Sequence, residues 1–287
     1  MAKHLRALID REEIIIAPAS YDVVSAQIIA KAGFPVSYLS GLGNEASDLG
    51  YPDLGLTTAT EIVRKAGNIA GVVDVPVVCD ADTGFGGMLN IRRTVGMFEA
   101  AGVSGIHIED QTFPKRCGAL AGKQLLEAEQ FARRIRGAAD ARKSNDFVLI
   151  ARTDCKIFGG VEEAIRRLNS YVENGADMAM VGDLYYPEQY RRLVKEVKAP
   201  LVVCAADPDH FHIQPDFTVD QWKRTGVKMV LYWFLPLFAA MKAVERAVIS
   251  LRDTGSIEDV VDNLITYREY SGMVDLNRWL TLEEPDR

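Results

Sequence analysis

Eight short apolar runs alternate with eight amphipathic stretches along this chain, and that alternation limits its folds more than any other feature. The runs fall at 13–19, 35–41, 75–82, 105–110, 147–153, 178–183, 200–206 and 227–233. Most are continuously apolar, as in FVLIART, with no in–out alternation. Strands covered on both faces read this way. The helical patterns lie at 21–32, 59–72, 91–101, 126–143, 161–174, 187–197, 218–225 and 236–252. Three junctions share one phrase (KAGFPVSYL, EAAGVSGIHI and ENGADMAMV), in which a glycine ends the helix and a short loop feeds the next strand. Thr57 and Thr58 are candidate caps for the second helix, with Glu61 near a capping-box position.

Eight βα units predict an α/β protein of the (β/α)8 barrel class, one domain over 1–287. A doubly wound sheet is the rival. It usually carries a Gly-rich phosphate loop after its first strand, whereas here the first run leads into APASYDVVSA. Residues 253–287 extend beyond the eighth helix. Val260, Val261, Leu264 and Ile265 need a packing partner there, so this segment is expected to be a helical oligomerisation tail.

Composition removes other classes. Apolar residues are 48% and charged residues 25%, which excludes a disordered chain. A net charge of −7 argues against nucleic-acid binding through the overall field. No apolar run reaches ~18–20 residues, so no membrane span is expected. Arg11, Glu12 and Glu13 stand where a secretory leader needs apolar residues. Cys79, Cys117, Cys155 and Cys204 are widely spaced, without a CxxC pair, so neither a disulfide framework nor a zinc site is expected. A reduced, cytoplasmic protein is the expectation.

Barrel enzymes place their chemistry at the C-terminal ends of strands. There the sequence has Ser40-Gly41-Leu42-Gly43, Asp80-Ala81-Asp82, His107-Ile108-Glu109 and Arg152-Thr153-Asp154. Asp80 and Asp82 share a strand face by the two-residue period, and Glu109 lies at the same level next door. Hard carboxylate oxygens suit Mg²⁺ or Mn²⁺. The bland alternative is that these acids cap helices or pair with Arg and Lys. Cys117 follows Lys115 and Arg116, which predicts a lowered thiol pKa and proton transfer under a closing loop. An inert loop cysteine is the competing reading. Arg152 suits bidentate carboxylate recognition, or an internal ion pair with Asp80, Asp154 or Glu109. His107 is balanced between packing and a site role. His210 and His212 read as loop residues, with no third metal ligand nearby.

Six phrases together carry a resemblance: YLSGLG (38–43), LGYPDLG (49–55), DADTGFG (80–86), GIHIEDQ (105–111), PKRCG (114–118) and ARTD (151–154). The chain resembles the isocitrate lyase/phosphoenolpyruvate mutase superfamily over nearly its whole length. It is most similar to the 2-methylisocitrate lyase-like and carboxyvinyl-carboxyphosphonate phosphonomutase-like members. The resemblance implies a homotetramer whose last helix is swapped between partners. It implies Mg²⁺ or Mn²⁺ held by Asp82, with Asp80 and Glu109 acting partly through water. Ser40, Gly41 and Leu42 would bind an α-keto-acid carboxylate, and Tyr38, Asp53, His107, Lys115 and Gly118 are further site positions. Cys117 would be the loop acid/base and Arg152 the oxyanion partner. Tyr21 and Tyr38 are candidates for the general base.

The implied reaction cleaves the C–C bond of a substituted 2-hydroxy acid, of 2-methylisocitrate or dialkylmalate type, to an α-keto acid and a second carboxylate. Oxaloacetate decarboxylation or related keto-acid cleavage is an alternative. Phosphonate P–C chemistry ranks lower, because PKRCG is the lyase form of the loop. A non-catalytic keto-acid-binding or scaffold homologue is the non-enzymatic alternative. Three departures from the lyase pattern stand out: Ala119 replaces a histidine, Gly182 (with Asp183 beside it) a glutamate, and Cys204 an asparagine. Each removes a polar anchor for the second fragment. With the aromatic phrase Leu231–Leu235, they point away from a standard 2-methylisocitrate lyase and toward a less polar or bulkier fragment. Packing is the alternative role of Trp233 and Phe234.

Overall fold

The computed structural model describes residues 1–284. Eight parallel strands close into a barrel in sequence order. They are β1 (Ile15–Ser20), β2 (Ser37–Leu39), β3 (Val77–Asp80), β4 (Gly105–Glu109), β5 (Val148–Thr153), β6 (Met178–Val181), β7 (Leu201–Cys204) and β8 (Met229–Tyr232). Pairing of Ile15 with Met229 and Ala17 with Leu231 closes the ring.

The helices are α1 (Ala2–Ile9), α2 (Val23–Lys31), α3 (Gly41–Asn44), α4 (Ala59–Ala70), α5 (Met88–Ala100), α6 (Ala128–Ala141), α7 (Lys156–Glu173), α8 (Pro187–Glu196), α9 (Val219–Lys223), α10 (Leu235–Thr254), α11 (Tyr267–Met273) and α12 (Leu276–Glu283). Local chemistry sets their ends as the spacing predicts. Thr58 caps α4, and Glu61 returns a hydrogen bond to the Thr58 amide at 2.8 Å. Gly33, at φ 85°, follows α2 in the left-handed conformation. Several segments depart from the expectation. Helix α7 starts at Lys156 and kinks at Gly160 (φ 63°), and α1, α3 and the π-helical turn Glu45–Leu49 were not foreseen.

Two apolar layers follow from the strand period. Outward residues such as Ile106, Ile108, Leu149 and Val203 pack with Ile62, Phe98, Phe131 and Trp222. Inward residues Val78, Val148, Ile150, Met178, Val202, Met229 and Leu231 fill the barrel, joined by Leu5 and Leu8 of α1. Helix α1 therefore plugs the N-terminal mouth, and Arg6 anchors it through Asp177 at 2.9 Å.

The chain divides into two compact units, Met1–Leu237 and Phe238–Arg287. In the second, Met241, Val244, Val248 and Leu251 form an exposed stripe at helical spacing on α10. A 3-10 segment (Glu258–Asn263), α11 and α12 follow. Among the described residues no helix is long and apolar enough to cross a membrane.

Candidate active site

From β3 to β8 the inward face, followed two residues further, passes from the packed interior to the cavity end of the barrel. Val78 leads to Asp80, His107 to Glu109, Ile150 to Arg152, Met180 to Gly182, Val202 to Cys204 and Leu231 to Trp233. Register puts Asp80 beside His107 and Glu109 beside Arg152. The sequence-predicted residues therefore meet at the C-terminal mouth of the barrel.

One expectation needs correction. Asp82 does not share a strand face with Asp80, because β3 ends at Asp80 and Asp82 adopts φ 45°. Asp80 fixes that turn by accepting the Asp82 amide at 2.9 Å. Its other oxygen accepts the Gly41 amide at 3.2 Å. A Cβ on Gly41 would lie 2.7 Å from Asp80 Oδ2, so only glycine lets the loop approach this closely.

Charges interlock around these acids. Lys115 binds Asp53 and lies 2.8 Å from Asp82 Oδ1. Arg152 forms a fork with Asp154, at 2.9 and 3.0 Å, and its Nη1 is 3.2 Å from Glu109. Lys123 joins Asp183 at 2.6 Å and Asp154 at 3.6 Å. The internal ion pair considered for Arg152 thus exists. His107 lies between Tyr38 OH, 2.9 Å from Nε2, and Asp80 Oδ1, 3.5 Å from Nδ1.

Burial sets the protonation states. It pushes Asp82 up to about 7, against the pull of Lys115 and with the repulsion of Asp80 and Asp53. It raises Glu109 well above the carboxylate range. Burial opposes ionisation of Asp80 too, but His107, Lys115 and Arg152 outweigh it and hold the acid at about 2. Burial lowers His107 to about 4, leaving a neutral imidazole. Tyr38 is raised well above its ordinary value and stays a phenol, a donor unsuited to act as a base.

Cys117 overturns the lowered-pKa expectation. Burial, reinforced by Asp53, pushes its thiol up to about 12. Lys115, which the sequence offered as the activating cation, is instead spent on Asp53 and Asp82.

Among the described residues no three His, Cys, Asp or Glu groups form a ready-made ion cage. The donor set nevertheless fits a hard cation. Among the described residues Glu109 Oε1 is buried with neither a hydrogen bond nor an ion pair, and Asp82 Oδ1 and Glu109 Oε2 are met only by the Lys115 and Arg152 ion pairs. Asp80, Asp82, Glu109, Asp154 and Asp183 also outnumber Lys115, Lys123 and Arg152 among the buried groups there.

A cavity of about 430 Å³ opens above this layer. Tyr38, Ser40, Leu42, Asp53, Asp80, Cys117, Gly118 and Arg152 line it, as do Ala119, Gly182, Cys204 and Trp233.

Comparison with known proteins identifies the lineage. The family model described as phosphoenolpyruvate phosphomutase matches residues 5–252. The chain belongs to this family. It is 39% identical to 2-methylisocitrate lyase of Aeropyrum pernix over 94% of this chain and 86% of that one. It is 32% identical to 2,3-dimethylmalate lyase of Eubacterium barkeri over 96% and 95%. Among solved structures, oxaloacetate acetylhydrolase with the inhibitor 3,3-difluorooxalacetate superposes with a TM-score of 0.92 at 33% identity, covering 99% and 96%. Phosphonopyruvate hydrolase complexed with oxalate and Mg++ gives 0.87 at 30%, covering 99% and 98%.

Against that family background, the three departures gather on one wall of the cavity. Gly182 is locked by its neighbours, since a Cβ would sit 2.4 Å from Asp154 Oδ1 and 2.5 Å from Arg152 Nε. The Arg152–Asp154 fork occupies the space a side chain at 182 would need. Trp233 turns its indole N–H to the Ala205 carbonyl at 2.9 Å, so its ring serves as a cavity wall. Sequence reasoning set His210 aside, yet it lines the cavity beside Asp207, with Lys156 and Ile213. Its signal was the Asp207–His210 spacing, which a short 3-10 turn converts into contact.

Proposed function

We propose that this chain is a divalent-cation-dependent carbon–carbon lyase. Its substrate is a substituted 2-hydroxy carboxylic acid of the 2-methylisocitrate or dialkylmalate kind, and its products are an α-keto acid and a second carboxylate. The observation that carries this reading is the meeting, in one cavity layer, of buried carboxylates that outnumber the cations pairing them, a guanidinium and a protonated thiol.

Asp82, Asp80 and Glu109 are the residues that would hold Mg²⁺ or Mn²⁺. Bound there, the cation supplies Lewis acidity to the substrate's carboxylate and 2-oxygen. Ser40, Gly41 and Leu42 form the edge against which the keto-acid carboxylate binds. Tyr38 stays a phenol at the cavity edge, where its hydrogen bond with neutral His107 keeps the ring in place. Arg152, held by Asp154, stabilises the oxyanion that develops as the bond breaks. Lys115 fixes the loop that carries Cys117 by binding Asp53. With its proton retained at neutral pH, the Cys117 thiol acts as the general acid and protonates the carbon of the departing fragment, and the proton lost by the substrate's 2-hydroxyl returns through solvent to the thiolate left on sulfur.

Assay of 2-hydroxy di- and tricarboxylates for Mg²⁺-dependent keto-acid release tests the reading. Turnover of at least one is expected. Absence of keto acid from the whole panel overturns it.

A second reading is cleavage of a keto acid such as oxaloacetate, favoured by the likeness to oxaloacetate acetylhydrolase. It uses the metal and Arg152 without needing a thiol acid, so Cys117→Ser would spare it while abolishing lyase activity. A scaffold predicts no Mg²⁺-dependent oxalate binding.

The assembly proposed is a helix-swapped homotetramer. Its support is the exposed apolar stripe on α10, with Val261, Leu264 and Ile265 also exposed. Sedimentation of the full chain measures this. Four free cysteines suit the reducing cytoplasm.

A further inference from the structure

In the proposed reaction the second fragment leaves as a carboxylate, so its charge has to be met somewhere in the cavity. Beyond Asp183, paired with Lys123, and Asp207, paired with His210, the remaining wall is apolar, with Ala119, Gly182, Leu184, Ile213 and Trp233. The buried cations already described are committed. Lys115 is held by Asp53 and Asp82, Arg152 by Asp154 and Glu109, and Lys123 by Asp183 and Asp154.

Lys156 is different. It lines the cavity from the first turn of α7. Its ammonium donates to the Leu184 carbonyl and lies 4.8 Å from the Tyr185 ring centre. Among the described residues no carboxylate lies within ion-pair distance of it. An ammonium has three protons to donate, and the carbonyl takes one. Burial lowers this lysine, a penalty that an incoming anion would relieve.

His210 lines the same cavity. Its Nδ1 lies 2.6 Å from Asp207 Oδ2, and its amide donates to the Asp207 carbonyl at 2.9 Å. Asp207 is itself buried and accepts the Asp209 amide at 3.0 Å. The ring is thus fixed through one nitrogen, and Nε2 has no hydrogen-bond partner among the described residues.

We propose that Lys156 and His210 bind the carboxylate of the departing fragment, and that the substrate is a 2-hydroxy dicarboxylate whose other substituents are hydrocarbon. This rests on the lyase reading and narrows it. A third carboxylate would face the apolar wall without a cation, at the cost of an unpaired, desolvated charge.

Two Mg²⁺-dependent ligands separate the ideas. Oxalate has only the keto-acid end, whereas 3,3-difluorooxaloacetate adds a second carboxylate. By calorimetry, Lys156→Met and His210→Asn should each weaken difluorooxaloacetate about 10- to 100-fold. Oxalate affinity should stay within about twofold, and Lys156→Arg should restore most of the loss. Unchanged difluorooxaloacetate binding in both variants overturns the subsite while leaving the lyase reading intact. A wild-type protein that binds neither ligand overturns both. In kcat/KM, 2,3-dimethylmalate should exceed 2-methylisocitrate by about tenfold or more. The reverse order overturns the hydrocarbon assignment.

Discussion

Val78 and Asp80 lie two residues apart on one strand, and so do Ile150 and Arg152, yet the two levels of the barrel interior obey opposite energetics. At the lower level Val78, Val148, Ile150, Val202 and Leu231 are buried against one another and against Leu5. Removing that apolar surface from water stabilises the fold by roughly 25 cal/mol per Å². At the upper level Asp80, Glu109 and Arg152 are about as deeply buried, and the same burial opposes their charge. Interlocked pairing offsets this cost only in part, since among the described residues Glu109 Oε1 has neither a hydrogen bond nor an ion pair. One backbone architecture therefore supplies stability below and chemical potential above, and the first supports the second.

Substitutions can break or sharpen that contrast. The largest effect is expected for Asp82→Asn, about 10³-fold or more in kcat/KM for keto-acid release. Its melting temperature at neutral pH should not fall, because a buried acid pushed up to about 7 opposes folding as it ionises and the neutral amide removes that cost. A large drop in stability would break the contrast. Chelation should abolish turnover in the same way, Mg²⁺ should restore it, and the far-UV circular dichroism should not change. Cys117→Ser should lower C–C cleavage roughly 10²- to 10⁴-fold and leave Mg²⁺-dependent oxalate binding unchanged. Ile150→Ala should behave oppositely. Urea unfolding should show a loss of ~2–5 kcal/mol, with turnover per folded molecule preserved. Gly182→Ala should give the smallest effect, about tenfold in kcat/KM, because its Cβ has to displace the Arg152–Asp154 fork. Unchanged kinetics there would show that the fork is not needed in its present place.

Much of the fold was legible because it follows local rules. Continuous apolar runs became strands, glycines ended helices, and Thr58 with Glu61 capped α4 as the spacing required. Helix α1 was missed because Leu5 and Leu8 carry meaning only once a barrel exists for them to plug. The two-residue period brought Asp80, Glu109 and Arg152 to one level, but it misplaced Asp82, whose left-handed backbone is set by the Asp80 carboxylate.

What the sequence determined by itself was the barrel and the gathering of Asp80, Glu109 and Arg152 at one level of it, since these depend on periodicity and residue type. The state of Cys117 was decided by tertiary structure. Two adjacent cations in the sequence suggested a thiolate, but Lys115 turns to Asp53 and Asp82, and burial keeps the proton on sulfur. Lys156 and His210 likewise came to line one cavity only through folding. They arrive from the first turn of α7 and from the 3-10 turn after β7, and no spacing along the chain records that these two segments face the same cavity.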